Sequence, residues 1–206
     1  MEEKISTIKE WLGAGSINIF GMPMSGKDTV GVRLAEDLDG EFLSSGLLIR
    51  AIERSENKDL TASGKLIPTE DFYDIVLPYF KREDIKKSPL ILSSVGRWAG
   101  EEDTILAATK DAGHTIKAVV FLDLDEAEVM RRWHVAQNLG DRGERPDDQN
   151  IEVFKTRIEE FNAKTLPVIK HYEQLGLLLT IQADASRDKV YEAVVEALFN
   201  RALASQ

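Results

Sequence analysis

A glycine-containing loop stands between the first apolar run of this chain and a helical pattern, and this order limits the fold more than any other feature. The run at residues 16–20 reads SINIF, residues 21–29 read GMPMSGKDT, and apolar residues then recur at helical spacing from Val30. Small side chains let the backbone N–H groups of such a loop surround an anion, and the helix adds the positive end of its dipole. Lys27 adds a mobile cation. The pattern therefore predicts a phosphate-binding loop, with a chance strand–helix turn as the alternative.

Apolar runs and helical patterns alternate along the rest of the chain. The predicted strands cover residues 16–20, 41–43, 90–94, 118–124 and 177–181. Helical periodicity at residues 4–12 and from Val190 onwards predicts a helix at each end. Strands that alternate with helices indicate βα units and a parallel sheet. We therefore predict an α/β fold of the P-loop NTPase type, with three layers, α/β/α, around a central parallel sheet.

The composition restricts the class of protein. The 206 residues suit one domain, and 36 acidic against 26 basic residues give a net charge of -10, which argues against a nucleic-acid-binding protein. The chain has no cysteine, which excludes disulfides, thiolate metal sites and a cysteine nucleophile. It has neither a secretory signal pattern nor an apolar run of about 18 residues. We therefore expect a cytoplasmic protein.

Several segments occur in an order and spacing typical of one family. They are residues 21–29 (GMPMSGKDT), 44–50 (SSGLLIR), 64–70 (GKLIPTE), 93–97 (SSVGR) and 145–148 (RPDD), then Arg157, residues 165–169 (TLPVI) and Tyr172. With these motifs the chain resembles the adenylate kinase family of nucleoside monophosphate kinases, of the type with a short lid, over roughly residues 16–200. The resemblance implies a single kinase domain, 1–206. Its parts would be a core of residues 1–45, 81–132 and 149–206, an insert at about 46–80 that binds the nucleoside monophosphate, and a short lid at about 133–148.

The resemblance also implies roles for individual residues. For ATP binding it implies Gly21, Pro23, Ser25, Gly26, Lys27, Asp28, Thr29 and Arg132. For binding of the nucleoside monophosphate it implies Ser45, Gly46, Arg50, Ile67, Arg97 and Glu101. The catalytic residues that it implies are Lys27, Arg97, Arg132, Arg145 and Arg157. Arginine suits these positions because it stays charged and offers a planar fork to phosphate. Closure of the lid would exclude water, which would otherwise hydrolyse ATP.

Four positions depart from the family pattern. Ser93 stands where the family has an aspartate at a strand end, and Asp28 replaces a small residue of the phosphate loop. Ala136 replaces a second lid arginine, and Glu101 replaces the glutamine that reads adenine. Asp28 either supplies the carboxylate support for Mg²⁺ that Ser93 lacks, or only favours the first turn of its helix through the dipole.

The expected reaction is transfer of the γ-phosphoryl group of ATP to AMP, with Mg²⁺ as cofactor. The expected partners are ATP and a nucleoside monophosphate, with neither nucleic acid nor membrane, and the expected state is a monomer. GMP and a pyrimidine monophosphate are alternative acceptors. An ionised Glu101 only accepts hydrogen bonds, so it would pair with the two donors of guanine better than with the N1 acceptor of adenine. An alternative of another class is a catalytically impaired nucleotide-binding protein that regulates a partner.

Overall fold

A five-stranded parallel sheet forms the centre of the protein. We describe it from a computed structural model, in which residues 1–57, 60–139 and 150–205 are placed. The strands are β1 (Ser16–Gly21), β2 (Glu41–Ser44), β3 (Leu90–Ser93), β4 (Ile116–Asp123) and β5 (Leu178–Gln182). They lie in the order β2-β3-β1-β4-β5, and every neighbouring pair is parallel. Each predicted strand is present, and the predicted α/β fold with a central parallel sheet is confirmed.

Helices connect the strands and cover the sheet. They are α1 (Glu2–Leu12), α2 (Lys27–Asp37), α3 (Ser45–Glu56), α4 (Thr69–Phe80), α5 (Glu101–Asp111), α6 (Glu126–Leu139), α7 (Ile151–Glu160), α8 (Leu166–Gln174) and α9 (Arg187–Ala204). A short 3-10 helix covers Glu83–Ile85, and a π-helical turn, Phe161–Thr165, joins α7 to α8. Strand β1 is buried along its whole length, as a strand covered on both faces of a parallel sheet must be.

Local sequence explains where several helices begin. The Ser44 hydroxyl accepts a hydrogen bond from the Leu47 N–H at the start of α3, at 3.4 Å. The Asn150 side chain accepts one from the Glu152 N–H at the start of α7, at 2.9 Å. Such caps satisfy N–H groups that have no partner inside the helix. Helix α2 begins differently, after Gly26, which has a left-handed backbone conformation and supplies no side-chain cap.

The topology places the phosphate loop beside the end of a second strand. Strand β1 lies between β3 and β4, so the chain leaves β1 toward one side of the sheet and returns later to the other. Ile19 near the end of β1 pairs with Ser93 at the end of β3. Ligands of open parallel sheets bind outside the carboxyl ends of the strands, where the strand order reverses. The loops after β1 and β3 therefore meet at the position expected for a ligand.

Helix α6 extends into the segment that the sequence assigns to the lid. Residues 133–139 continue this helix, because Trp133 is buried and its ring stacks on Phe154 of α7, with centroids 5.5 Å apart. The rest of the predicted lid, residues 140–148, lies outside the described residues. Within the described part of the chain, no helix combines the length and the apolar character that crossing a membrane requires.

Candidate active site

The phosphate loop is shaped by two glycines with different physical roles. At Gly21 an added Cβ would lie 2.4 Å from the Ser25 hydroxyl oxygen, so only glycine lets the loop fold back on the strand end. Gly26 has a φ of 86°, and no atom lies within 4 Å of the position that its Cβ would take. The Ser25 hydroxyl is buried and has no hydrogen-bond partner among the described residues. This combination fits a loop whose polar groups bind a ligand.

The loop separates two clefts. The first encloses about 850 Å³ and is lined on the loop side by Gly21, Pro23, Lys27 and Asp28. The second encloses about 1420 Å³ and is lined there by Ser25, Gly26 and Thr29. Predicted residues from elsewhere in the chain line the same clefts: Ser45, Gly46, Arg50, Ile67, Arg97 and Arg157 line the first, and Arg132 lines the second. Two clefts that meet at one loop can hold two phosphate-bearing ligands end to end.

Three arginines converge on the first cleft. Arg50 lies in α3, Arg97 follows β3, and Arg157 lies in α7. Burial, together with the positive charges of Arg157 and Arg50, lowers the pKa of the Arg97 guanidinium from its ordinary value to about 10. Glu101 and Asp28 oppose this change but do not cancel it. The cleft therefore holds an excess of positive charge in partly desolvated surroundings, which the phosphate groups of a ligand would neutralise.

Polar side chains hold the turn that carries Arg97. The Asn18 amide, inside β1, donates to the Val95 carbonyl at 2.8 Å and accepts from the Val95 N–H at 3.3 Å. The Ser45 hydroxyl donates to the Ser94 carbonyl at 2.7 Å. Because Asn18 and Ser45 belong to a strand and a helix of the core, they fix the turn after β3 against rigid elements.

Glu101 also holds this turn, and this limits its predicted role in reading the acceptor base. Its carboxylate Oε2 accepts from the backbone N–H groups of Arg97, at 2.7 Å, and Trp98, at 3.0 Å. Its Oε1 accepts from the Thr69 hydroxyl at 2.8 Å, and the residue is only 2% exposed. Pairing with both donors of guanine requires both carboxylate oxygens. Two backbone N–H groups already occupy the lone pairs of Oε2, so the geometry removes the chemical argument for GMP.

Asp28 and Ser93, two of the four positions that depart from the family pattern, are in direct contact. The Ser93 hydroxyl donates to Asp28 Oδ1 at 2.6 Å, beside the phosphate loop. Among the described residues, no group of three or more His, Cys, Asp or Glu side chains could hold a metal ion. Mg²⁺ in phosphoryl-transfer sites is held by one or two carboxylates together with the substrate's phosphates. One carboxylate supported by a hydroxyl fits a magnesium ion of that kind.

Arg132 is positioned beside the second cleft by three acceptors. Its guanidinium donates to Glu128 Oε1 at 2.8 Å, to the Met24 carbonyl at 3.3 Å and to the Ala183 carbonyl at 2.7 Å. Hydrogen bonds from Arg131 and then Arg132 lower the pKa of the Glu128 carboxyl to about 2. Arg132 therefore joins the phosphate loop to the end of the sheet, and Arg131 donates to both oxygens of the same Glu128 carboxylate.

Two residues adopt backbone conformations that favour glycine. Met24 has a φ of 68° and Ser94 a φ of 53°, and both stand where the resembled family has glycine. The left-handed conformation costs a residue with a side chain roughly 1–2 kcal/mol. The phosphate loop and the turn after β3 thus keep a glycine-type backbone conformation at these two positions, although neither residue is a glycine.

A third, smaller cavity adjoins the first cleft. Its volume of about 210 Å³ includes space that is open to solvent. Its lining residues are Ile49, Leu66, Ile67, Phe72, Arg97, Trp98 and Glu101. Apolar walls with one carboxylate and one guanidinium at the edge are suited to a flat, polar-edged ring that carries a phosphate group.

Some site residues are outside the described chain, and others were missed by sequence reasoning. Arg145 lies outside the described residues, so its predicted catalytic role remains a prediction.

Asn18 was missed, although an amide within the apolar run at residues 16–20 was a usable signal. Thr165 was missed as well: its hydroxyl donates to the Arg97 carbonyl at 3.4 Å from a π-helical turn. Such turns often mark functional sites, but no sequence signal predicts this one.

Known proteins are similar in sequence to this chain over most of its length. A family profile described as an AAA domain matches residues 20–155. The adenylate kinase of Methylobacterium nodulans is 32% identical over 188 residues, which is 86% of this chain and 93% of that protein. UMP-CMP kinase 2 of Oryza sativa subsp. japonica is 29% identical over 182 residues, covering 85% of this chain and 70% of the relative. UMP-CMP kinase 2 of Caenorhabditis elegans is 28% identical over 193 residues, covering 89% of this chain and 95% of the relative.

Proposed function

Because this chain belongs to the adenylate kinase family of nucleoside monophosphate kinases, we propose that it transfers the γ-phosphoryl group of ATP to AMP and so forms two molecules of ADP. The observation that carries the proposal is the convergence of Lys27 with Arg50, Arg97 and Arg157 on one cleft beside the phosphate loop. Phosphoryl transfer between two polyanions needs their charges screened and their oxygens held in line. This cluster can do both.

The two clefts suggest how the substrates are arranged. The triphosphate would lie along the phosphate loop, with its base in the second cleft beside Arg132, and the acceptor phosphate would lie between Arg50 and Arg97. Lys27 lines the first cleft, where it can follow the charge onto the transferred group. Arg157, contributed by α7, would neutralise charge that develops on the same oxygens. The chain needs no covalent intermediate for this reaction.

Magnesium ion fits this site through oxygen ligands of the chain and of the substrates. Bound there, it would neutralise charge on the phosphate oxygens. Asp28 would hold it, and Ser93 would orient the Asp28 carboxylate through their hydrogen bond. We propose the same division of the chain as the sequence suggests: a kinase core with an acceptor-binding insert at about 46–80 and a lid that includes Arg145.

A pyrimidine monophosphate is the second candidate acceptor. AMP is supported by the adenylate kinase of M. nodulans. Two relatives at 28–29% identity are named UMP-CMP kinases. For GMP no argument remains, because Glu101 Oε2 already accepts from two backbone N–H groups.

A coupled assay of ADP formation with AMP, CMP, UMP and GMP in parallel tests the proposal. We expect turnover with AMP above the other three. The Lys27→Ala variant should lose turnover by orders of magnitude with an unchanged melting temperature, while Lys155→Ala, at an exposed ion pair of α7, should keep it. Binding of ATP without turnover of any monophosphate would favour a regulatory protein instead. Normal turnover by folded Lys27→Ala would contradict the assignment of the phosphate loop.

A further inference from the structure

Trp98 forms one wall of the third cavity and is bound on two sides. Its indole Nε1–H donates to the Ile67 carbonyl at 3.2 Å, and both residues line the cavity. The Lys164 ammonium lies 3.8 Å from the centroid of its ring. A lysine this close to an aromatic face is held by the ring quadrupole, most strongly where water is partly excluded. The side chain of Lys164 is 23% exposed, so the contact is shielded.

The Glu160 carboxylate links Lys164 to the backbone of Leu66, which also lines the cavity. Its ammonium pairs with Glu160 Oε2 at 2.5 Å, and the same oxygen accepts from the Leu66 N–H at 3.1 Å. Burial by itself would raise the pKa of the Glu160 carboxyl, but the hydrogen bonds from Lys164 and Leu66 and the charges of Lys164 and Lys65 lower it overall. Glu160 is therefore ionised at neutral pH.

These contacts form a closed ring of interactions between the core and the predicted acceptor insert. Trp98 binds the carbonyl of Ile67, Glu160 binds the N–H of Leu66, and Lys164 joins Trp98 to Glu160. The neighbouring backbone is also tightly packed: a Cβ at Gly64 would lie 2.6 Å from the Val153 carbonyl of α7. The backbone of Leu66 and Ile67, which also line the cavity, is thus tied to the core at two adjacent residues.

We propose that Trp98 is a specificity-determining residue of the acceptor site and that Lys164 and Glu160 are positioning residues that hold it against the Leu66–Ile67 backbone. The inference rests on the proposed function for the identity of the ligand, the base of a nucleoside monophosphate. The indole limits the depth of the cavity, and the Lys164 contact keeps the indole in place. The walls that select the base are then formed before the nucleotide arrives, which reduces the cost of ordering them on binding.

Steady-state kinetics of Lys164→Met test the positioning role. Methionine keeps most of the side-chain length but removes the charge, so the KM for the preferred monophosphate should rise about tenfold while the KM for ATP stays within about twofold. Lys164→Arg keeps both the ring contact and the ion pair and should restore the wild-type KM. Lys155→Met, which removes an exposed ion pair with Glu152 from the preceding helix α7, is the matched control and should change neither constant.

Amide and indole hydrogen exchange, measured by ¹⁵N NMR on the ligand-free protein, gives a readout that does not depend on turnover. In Lys164→Met the Leu66 amide and the Trp98 indole N–H should exchange faster, while the indole N–H groups of Trp11 and Trp133 should not change. Unchanged exchange at both positions would overturn the positioning role. If the wild-type protein phosphorylates none of the four monophosphates, the proposed function fails, and the exchange rates still decide whether Lys164 holds Trp98 and Leu66 in place.

The role of Trp98 in specificity is tested by the ratio of kcat/KM for AMP to that for CMP. Trp98→Ala deepens the cavity, so the ratio should move toward the purine by about tenfold or more. Trp98→Phe, which keeps a ring but loses the indole N–H, should give a smaller shift in the same direction and covers the case in which Trp98→Ala does not fold. A folded variant with an unchanged ratio would overturn the assignment.

Discussion

The effect of Glu101 substitutions on stability distinguishes a residue that binds the acceptor base from a residue that holds a loop in place. Its carboxylate accepts three hydrogen bonds, from the backbone N–H groups of Arg97 and Trp98 and from the Thr69 hydroxyl. A hydrogen bond to a charged group contributes roughly 1.5–3 kcal/mol, and a buried donor left without an acceptor costs about 1–3 kcal/mol. Since the three bonds share one carboxylate, their contributions do not add fully. We therefore expect Glu101→Ala to lower the free energy of unfolding by about 3–5 kcal/mol.

Two further variants make the expectation specific. Glu101→Gln retains one oxygen for the backbone N–H groups and can donate from its amide to the Thr69 hydroxyl, so it should cost only about 1 kcal/mol. The neighbour Glu102 is also buried but accepts a hydrogen bond from only one group of the described residues, the Gly100 N–H at 2.7 Å. Glu102→Ala should therefore lie between the other two in stability.

Urea denaturation, followed by tryptophan fluorescence, measures these differences at neutral pH. The free energies should rank wild type, Glu101→Gln, Glu102→Ala and Glu101→Ala in falling order. Because Glu101 also fixes the turn that carries Arg97, Glu101→Ala should raise the KM for the monophosphate more than the KM for ATP. A loss below about 1 kcal/mol in Glu101→Ala would refute the reasoning, since a residue that only reads the base has no reason to stabilise the ligand-free protein.

Four other expectations follow from single contacts. Asp28→Asn should raise the Mg²⁺ concentration for half-maximal rate about 10–100-fold, and adding Ser93→Asp should restore it; an unchanged magnesium dependence would leave Asp28 a helix-terminus residue only. Ser94→Gly should raise the melting temperature by about 1–4 °C, because relief of the left-handed conformation exceeds the added chain entropy; calorimetry that shows a decrease would contradict this. Ile8→Ala, at a fully buried position of α1, should lower the free energy of unfolding by about 2–5 kcal/mol in urea titrations. Glu128 should titrate by carboxyl ¹³C NMR near pH 2, and because its folded pKa is lowered, its contribution to stability is present above the ordinary glutamate pKa and is lost as the pH falls toward 2.

The sequence alone determined the features that depend on neighbouring residues. The strand–loop–helix order around residues 21–29 predicted the phosphate loop, and short apolar runs predicted all five strands, because hydrophobic periodicity and small loop residues are local properties. The motifs, which stand in a recognisable order, also predicted that the arginines at positions 50 and 97 bind the monophosphate, and this remains a prediction. What the sequence could not show was that both lie in one cleft with Arg157, more than a hundred residues after Arg50.

The tertiary structure decided the partners of the polar side chains, because a hydrogen bond depends on distance in space and not on separation along the chain. Glu101 could be read from the sequence as a base reader, but the packing of α4 and α5 against the turn after β3 places three internal donors on its carboxylate. From the sequence, Ser93 and Asp28 were only two departures from the family pattern. The pairing of β1 with β3 brings the Ser93 hydroxyl to within 2.6 Å of Asp28 Oδ1. Lys164 had no sequence signal, since an ordinary Glu–Lys helical spacing does not show that a tryptophan from another loop lies over it.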